Sequence, residues 1–238
     1  RLEEAATEFR RLIDMTPDEP LGYANLGLTY LRMGRLDEAE AEVRGALALV
    51  PEDPDVHLIL SEILLAQDRP EEARTELELG LAANADHVKT LYALASQGSD
   101  NAEPSAPARR AAALGSLVDL QQGNVAARVE YVNALLATDD PQGAAIQLEV
   151  LRQLVPDFPV EGQDLFAVAL EAARAGDVAR ARGPALAFHN VMRTTPAYQQ
   201  GLIDLRGPGG VLVGFPVVTF SQAVGADVRD VETVLAAL

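Results

Sequence analysis

A period of 34 residues runs through the first ninety positions of this 238-residue chain, and it constrains the fold more than any other feature. Ala5, Ala39 and Ala73 align at that spacing, as do Leu26, Leu60 and Leu94. Tyr23, His57 and Leu91 share a column of large residues, and Phe9, Val43 and Leu77 share another. Small residues recur at Gly27, Ser61 and Ala95, and breakers at Pro17 and Pro51, with Ala85 in the third slot. Six columns holding one period without a gap describe a structural unit that is copied along the chain.

Each unit reads as two helices. From Tyr23 to Leu31 the apolar residues fall at helical spacing, and Gly34 ends the run. Asp37 and Glu38 open a second helix, where acidic side chains suit the positive end of the dipole. It continues through Ala39, Val43, Ala46 and Leu47 until Pro51, which lacks the donor a continuing helix requires. The small residues let the paired helices approach, so a larger side chain at Ala39 or Ala73 would overpack the seam.

This pattern resembles the tetratricopeptide repeat (TPR) family. Residues 20–53 carry its marks at Tyr23, Leu26-Gly27, Tyr30, Gly34, Ala39, Val43, Ala46 and Pro51. Residues 54–87 carry them at His57, Leu60-Ser61, Leu64, Ala73, Leu77 and Gly80. Residues 1–19 read as the second helix of a preceding unit, so either more chain precedes Arg1 or another surface covers its apolar face. Residues 88–97 form a further first helix, and 98–107 a polar, proline-rich loop. Divergent units then occupy 108–195: a helix over 108–122, a unit over 125–158 and a last one over about 159–195. Residues 196–238 read as an extended or hairpin segment followed by a capping helix with Val228, Val231, Leu235 and Leu238 on one side. The resemblance therefore implies an all-α, right-handed solenoid of about five and a half repeats ending in a short extended segment and a C-terminal helix.

Composition narrows the function. With 36 acidic and 19 basic side chains the net charge is −17, which argues against nucleic acid and anionic membrane as partners. The absence of cysteine removes thiolate metal sites and cysteine nucleophiles. No apolar run reaches the ~20 residues of a membrane span, and no leader is visible in this chain. A soluble protein is expected, cytoplasmic or exported, with its compartment open.

Sites of chemistry are hard to find. His57 falls in the core column of its repeat, His87 follows Asp86 at a junction and reads as a solvated loop residue, and His189 reads as a helix-flank residue. None has metal-ligand spacing, and no serine sits in a nucleophile elbow. Gly-Pro-Gly-Gly at 207–210 lacks the lysine of a phosphate loop, and the Asp pairs at 53/55 and 139/140 fall at inter-helix turns. No catalytic residue, metal or cofactor is expected, and the chain reads as a non-enzyme.

What the resemblance implies instead is a groove lined by first helices. Mapped onto this sequence, its lining is Leu21, Ala24, Asn25, Leu28 and Arg32 in the first full repeat. The second supplies Leu58, Ile59, Glu62 and Leu65, and the third Tyr92 and Ser96. Leu28, Leu58, Ile59, Leu65 and Tyr92 would make an apolar trough for a protein or peptide segment, with packing between repeats the competing role for Leu58 and Leu65. Of the positions where chaperone-binding relatives grip a terminal carboxylate with basic and amide groups, only Asn25 matches; Ala24, Leu28, Ile59 and Ala93 occupy others, and Asp55 and Glu62 would repel a carboxylate. The acidic second helices, with Glu40, Glu42, Glu71, Glu72, Glu76 and Glu78, read as a solvated outer face. Two alternatives to a groove-binding scaffold stand: an assembly module self-associating through its ends, and the N-terminal region of a larger exported protein with a downstream β-propeller.

Overall fold

The computed structural model of the chain describes residues 1–97 and 104–206. Those residues form twelve helices and no strand: α1 (Leu2–Met15), α2 (Pro20–Arg32), α3 (Leu36–Leu49), α4 (Pro54–Ala66), α5 (Pro70–Ala83), α6 (Val88–Gln97), α7 (Ala106–Leu120), α8 (Val125–Ala137), α9 (Pro141–Leu154), α10 (Val160–Arg174), α11 (Val178–Met192) and α12 (Pro196–Arg206). The fold is an all-α helical repeat. The expected hairpin and the C-terminal helix fall at 207–238, outside the described residues.

Local chemistry sets the helix ends. Proline occupies the first position of α2, α4, α5, α9 and α12, where its missing N–H costs nothing and its fixed φ suits the helix. Asp53, Asn124, Asp140 and Asp177 cap α4, α8, α9 and α11 by accepting from free amides of the first turn. The turn inside a repeat needs one residue in the left-handed region. Gly34 (φ 75°) and Gly176 (φ 76°) supply it, and Asp68 (φ 59°) and Asp139 (φ 65°) do so at the equivalent place. Aspartate tolerates that conformation better than most L-residues, so the turn survives without glycine.

The described residues divide into two compact units, one comprising Arg1–Thr90 and the other beginning at Leu91. In the first, α2 packs on α3 and α4 on α5 along a seam of small residues. Ala5, Ala39 and Ala73 are fully buried, as are Val43 and Leu77 in the neighbouring column. A Cβ at Gly27 would stand 2.4 Å from Val43 Cγ2 and 3.0 Å from the Ala39 carbonyl, which shows how closely α2 and α3 approach. Leu26, Leu60 and Leu64 fill the space beside the seam; burying each such side chain contributes about 2–3 kcal/mol.

The second unit keeps the same seam, with Ala144 and Ala181 fully buried and Leu148 and Phe188 beside them. Three rings gather at its far end: Phe158 lies 4.6 Å from Phe166 and 5.1 Å from Phe188, centroid to centroid. It departs from a plain stack in two places. α8 contacts α11 as well as α9, and α12 turns back onto α8. Residues 196–206 are therefore helical where the sequence reading began an extended segment. Thr195 and Pro196 form a helix start, the Thr195 hydroxyl accepting from the Tyr198 amide at 3.3 Å. Tyr198, Gly201 and Leu205 then share one buried side at helical spacing. α7 likewise begins at Ala106, slightly earlier than expected, with Pro107 in its first turn.

Candidate interaction surface

In the first unit α2 turns Tyr23, Gly27 and Tyr30 toward α3, where Gly27 and Tyr23 lie against Val43 and Gly45. At 100° per residue the opposite side of α2 carries Leu21, Asn25, Leu28 and Arg32. The same geometry on α4, whose His57 reaches Glu76 of α5, puts Asp55, Ile59, Glu62 and Ala66 on the side turned away from α5. The sequence-derived lining is thus brought together on two adjacent first helices. Ala24 and Leu58 sit on the flanks of that side, packed between helices and fully buried.

The centre of this surface is withdrawn from water. Leu28 is 7% exposed, Asn25 6% and Ile59 0%. Asn25 donates its side-chain amide to the Leu21 carbonyl at 2.9 Å, an internal partner that leaves the face apolar. Glu62 is half-buried, and burial pushes its carboxyl up to about 7, with Arg32 pulling the other way. Leu21 and Arg32 are half-buried, while Leu65 is 41% exposed and forms the rim. At the start of α6, Lys89 Nζ stands 3.4 Å from Asp55 Oδ1, so the acid at the edge of the surface has a cation beside it.

Tyr92 and Ser96 belong to the second unit. Tyr92 is buried, and its hydroxyl accepts from Arg206 Nη2 at 3.0 Å while the guanidinium lies 5.2 Å from the ring centroid. Ser96 is exposed, and its hydroxyl donates to the Tyr92 carbonyl. Sequence reasoning missed Arg206 because nothing in the linear order ties it to Tyr92, 114 residues away.

It also missed a buried polar cluster in the same unit. Glu130, on the side of α8 that corresponds to Asn25 and Ile59, accepts from the Tyr198 hydroxyl at 3.1 Å and from Arg110 Nη2 at 3.2 Å. His189 Nε2 lies 2.8 Å from the same hydroxyl. Burial beside Glu130 raises the Tyr198 phenol, and burial with Arg193 and Arg110 nearby lowers His189 to about 4, so this imidazole is neutral at pH 7. Asn124 Nδ2 donates to the Gly201 carbonyl at 3.0 Å. Together these bonds clamp α12 onto α8.

The other histidines behave differently. His57 is buried in its repeat, as its column suggests, with Nδ1 2.8 Å from Glu76 Oε2 and Nε2 3.1 Å from the Pro51 carbonyl. Both neighbours are acceptors, and the Glu76 hydrogen bond raises the imidazole above its usual range. His87 is not a plain solvated residue: it is half-buried, its Nδ1 lies 2.6 Å from Thr90 Oγ1, and burial lowers its pKa. The acids of the second helices are occupied with arginines, Glu40 pairing with Arg44 and Arg69, Glu72 with Arg69, and Glu71 and Glu78 with Arg74. Among the described residues no cluster of histidine and acidic side chains could hold a metal ion, and no helix is long and apolar enough to cross a membrane.

The tetratricopeptide-repeat family model matches residues 24–87, the two units whose columns are most regular. Residues 24–87 match the tetratricopeptide repeat. Outside that stretch the likeness is one of fold. YrrB, described as a TPR protein with an unusual peptide-binding site, superposes with a TM-score of 0.59 at 16% identity, over 82% of this chain and 98% of that one. PilF of Pseudomonas aeruginosa gives 0.54 at 17% identity, over 85% and 90%. A search by sequence among curated proteins finds no match.

Proposed function

We propose that the chain is a non-catalytic scaffold that receives an apolar segment of another protein on the first-helix surface of its first unit. The observation that carries this reading is the arrangement of side chains on α2 and α4. Their side away from α3 and α5 is apolar at its centre, with Leu28 and Ile59, and half-exposed at its rim, with Leu21, Arg32 and Leu65. Apolar area between preorganised helices is what an extended or helical segment needs to bury, and the rigid repeats keep the ordering cost low. The acids nearby, Glu62 and Asp55, favour an uncharged segment over an acidic one. The peptide site for which YrrB is described supports this use of the fold.

Fluorescence anisotropy with labelled ten-residue peptides tests the reading. Uncharged apolar peptides are expected to bind, acidic ones not, and Leu28→Glu or Leu65→Glu should weaken binding at least tenfold while circular dichroism stays helical. Equal binding of acidic and apolar peptides, or no response to either substitution, would refute it.

A further inference from the structure

In the second unit the first-helix face carries a helix of the chain itself. Ala126 and Glu130 of α8 stand where Leu21 and Asn25 stand on α2, and Tyr92 of α6 is another residue that the repeat pattern assigns to a groove lining. α12 meets all three. The Tyr198 hydroxyl donates to Glu130 Oε1 at 3.1 Å, and Arg206 Nη2 donates to the Tyr92 hydroxyl at 3.0 Å. A Cβ at Gly201 would come within 3.0 Å of the Ala126 Cβ. α12 therefore occupies the positions from which a groove would grip a foreign segment.

Its construction is that of an occupant. The helix has 11 residues with Gly201 at its middle, too short and too weak in propensity to persist alone. Tyr198, Gly201 and Leu205 are buried on one stripe, while Gln199, Gln200, Ile203 and Asp204 are exposed. Its fastening is largely polar, with Asn124 Nδ2 donating to the Gly201 carbonyl besides the two bonds above. Any segment presenting the same groups remakes such bonds, so exchanging one helix for another changes their net contribution little. The seam residues Ala144 and Ala181 lie in the pairs α8–α9 and α10–α11, of which α12 is no member. The fit is also incomplete. Arg110 Nε, buried beside Glu130, has no hydrogen-bond partner among the described residues. A cleft of about 470 Å³ stays open between Gln122 and Asn124 at the start of α8 and Ala197 and Asp204 of α12.

We propose that α12 is an internal occupant of the second unit's groove, displaced by a helical segment of a partner protein that presents the same stripe. That stripe is an aromatic hydroxyl, a small residue in the place of Gly201, and a leucine followed by an arginine in the places of Leu205 and Arg206. The hydroxyl meets Glu130, the small residue lets the helix approach Ala126, and the guanidinium lies over Tyr92. The site uses none of the residues of the apolar surface on α2 and α4 and takes a partner of different chemistry. Because α12 is tethered to α11 through residues 193–195, it competes at high effective concentration, and a partner enters when α12 is loosened.

A fluorescein-labelled, end-blocked peptide of residues 196–206, titrated with the full chain by anisotropy, tests this. The unmodified chain should bind it weakly, and Tyr198→Ala or Gly201→Ala, which loosen α12, should bind it at least about tenfold tighter. In either variant, Tyr198→Phe in the peptide or Glu130→Leu in the chain should weaken binding roughly tenfold. No gain in either variant overturns the proposal, as does equal binding of the tyrosine and phenylalanine peptides. A gain that survives Glu130→Leu places the peptide elsewhere and also overturns it. So does loss of hydrogen-exchange protection throughout α8–α11 in both variants, which would make α12 part of the unit's core.

Discussion

The two units use one building element and finish its first-helix face in different ways. In the first, positions 25 and 59 are Asn and Ile, both buried. In the second, the matching position is Glu130, and α12 lies on it through Tyr198. The seams behind these faces are alike: Ala39, Ala73, Ala144 and Ala181 are all fully buried. The seam pattern therefore dictates how a helix pair closes and says little about what the open side receives. That side is free to diverge because its residues are not needed to hold the pair together. One unit has kept it apolar, and the other has turned it into a polar anchor for its own terminal helix.

Overpacking the seam should break the comparison most completely. Gly27→Val places branched carbons against Val43 and the Ala39 carbonyl, and the α2–α3 pair should lose about 3 kcal/mol. Hydrogen exchange should then quicken throughout α2 and α3 while α8–α11 keep their rates; uniform loss across the chain would mean that the units do not unfold separately. A smaller effect is expected from Gly201→Ala, whose Cβ would lie 2.6 Å from Asn124 Oδ1 and 3.0 Å from the Ala126 nitrogen. It should loosen α12 at a cost of about 1–2 kcal/mol and leave the first unit untouched, as read by exchange at Tyr198–Leu205.

The subtlest contrast is in pH dependence, where His57 and His189 have opposite signs. The folded state holds His57 above its unfolded value near 6.5, so the stability it contributes is complete below that pH and fades as pH rises through the raised value. His189 is held down at about 4, so its contribution is present above about 6.5 and is lost as pH falls toward 4. Corrected for the base-catalysed intrinsic rate, protection in α5 should fall on the alkaline side, and protection in α12 on the acid side. His87, lowered by burial, acts on the first unit only in the acid range and does not disturb the alkaline limb. The same direction in both helices would refute the assigned partners.

Much of the helix-pair architecture was legible because it is encoded in short-range steric demands. Ala39, Val43 and Leu77 announce a close seam by size alone, and Gly34 announces the left-handed turn. Asp68 and Asp139 fill that turn unannounced, since aspartate is common at ordinary turns and caps too. The side of α2 that carries Leu21, Asn25, Leu28 and Arg32, and that of α4 with Ile59 and Glu62, follow from helical phase once the repeat is aligned. The burial of these residues was not legible, and neither were Arg206 over Tyr92 and Tyr198 on Glu130, which join residues 114 and 68 positions apart.

The sequence by itself determined the repeat, its helix pairs, their seam and the phase of every first helix, because each depends on side-chain size and backbone preference within a few tens of residues. Only the tertiary structure decided that α12 folds back onto α8, that Glu130, Tyr198 and His189 share one buried cluster, and that Leu28 and Ile59 are hidden from water. Those outcomes depend on which distant segment reaches an open helix face, and a local pattern carries no record of that.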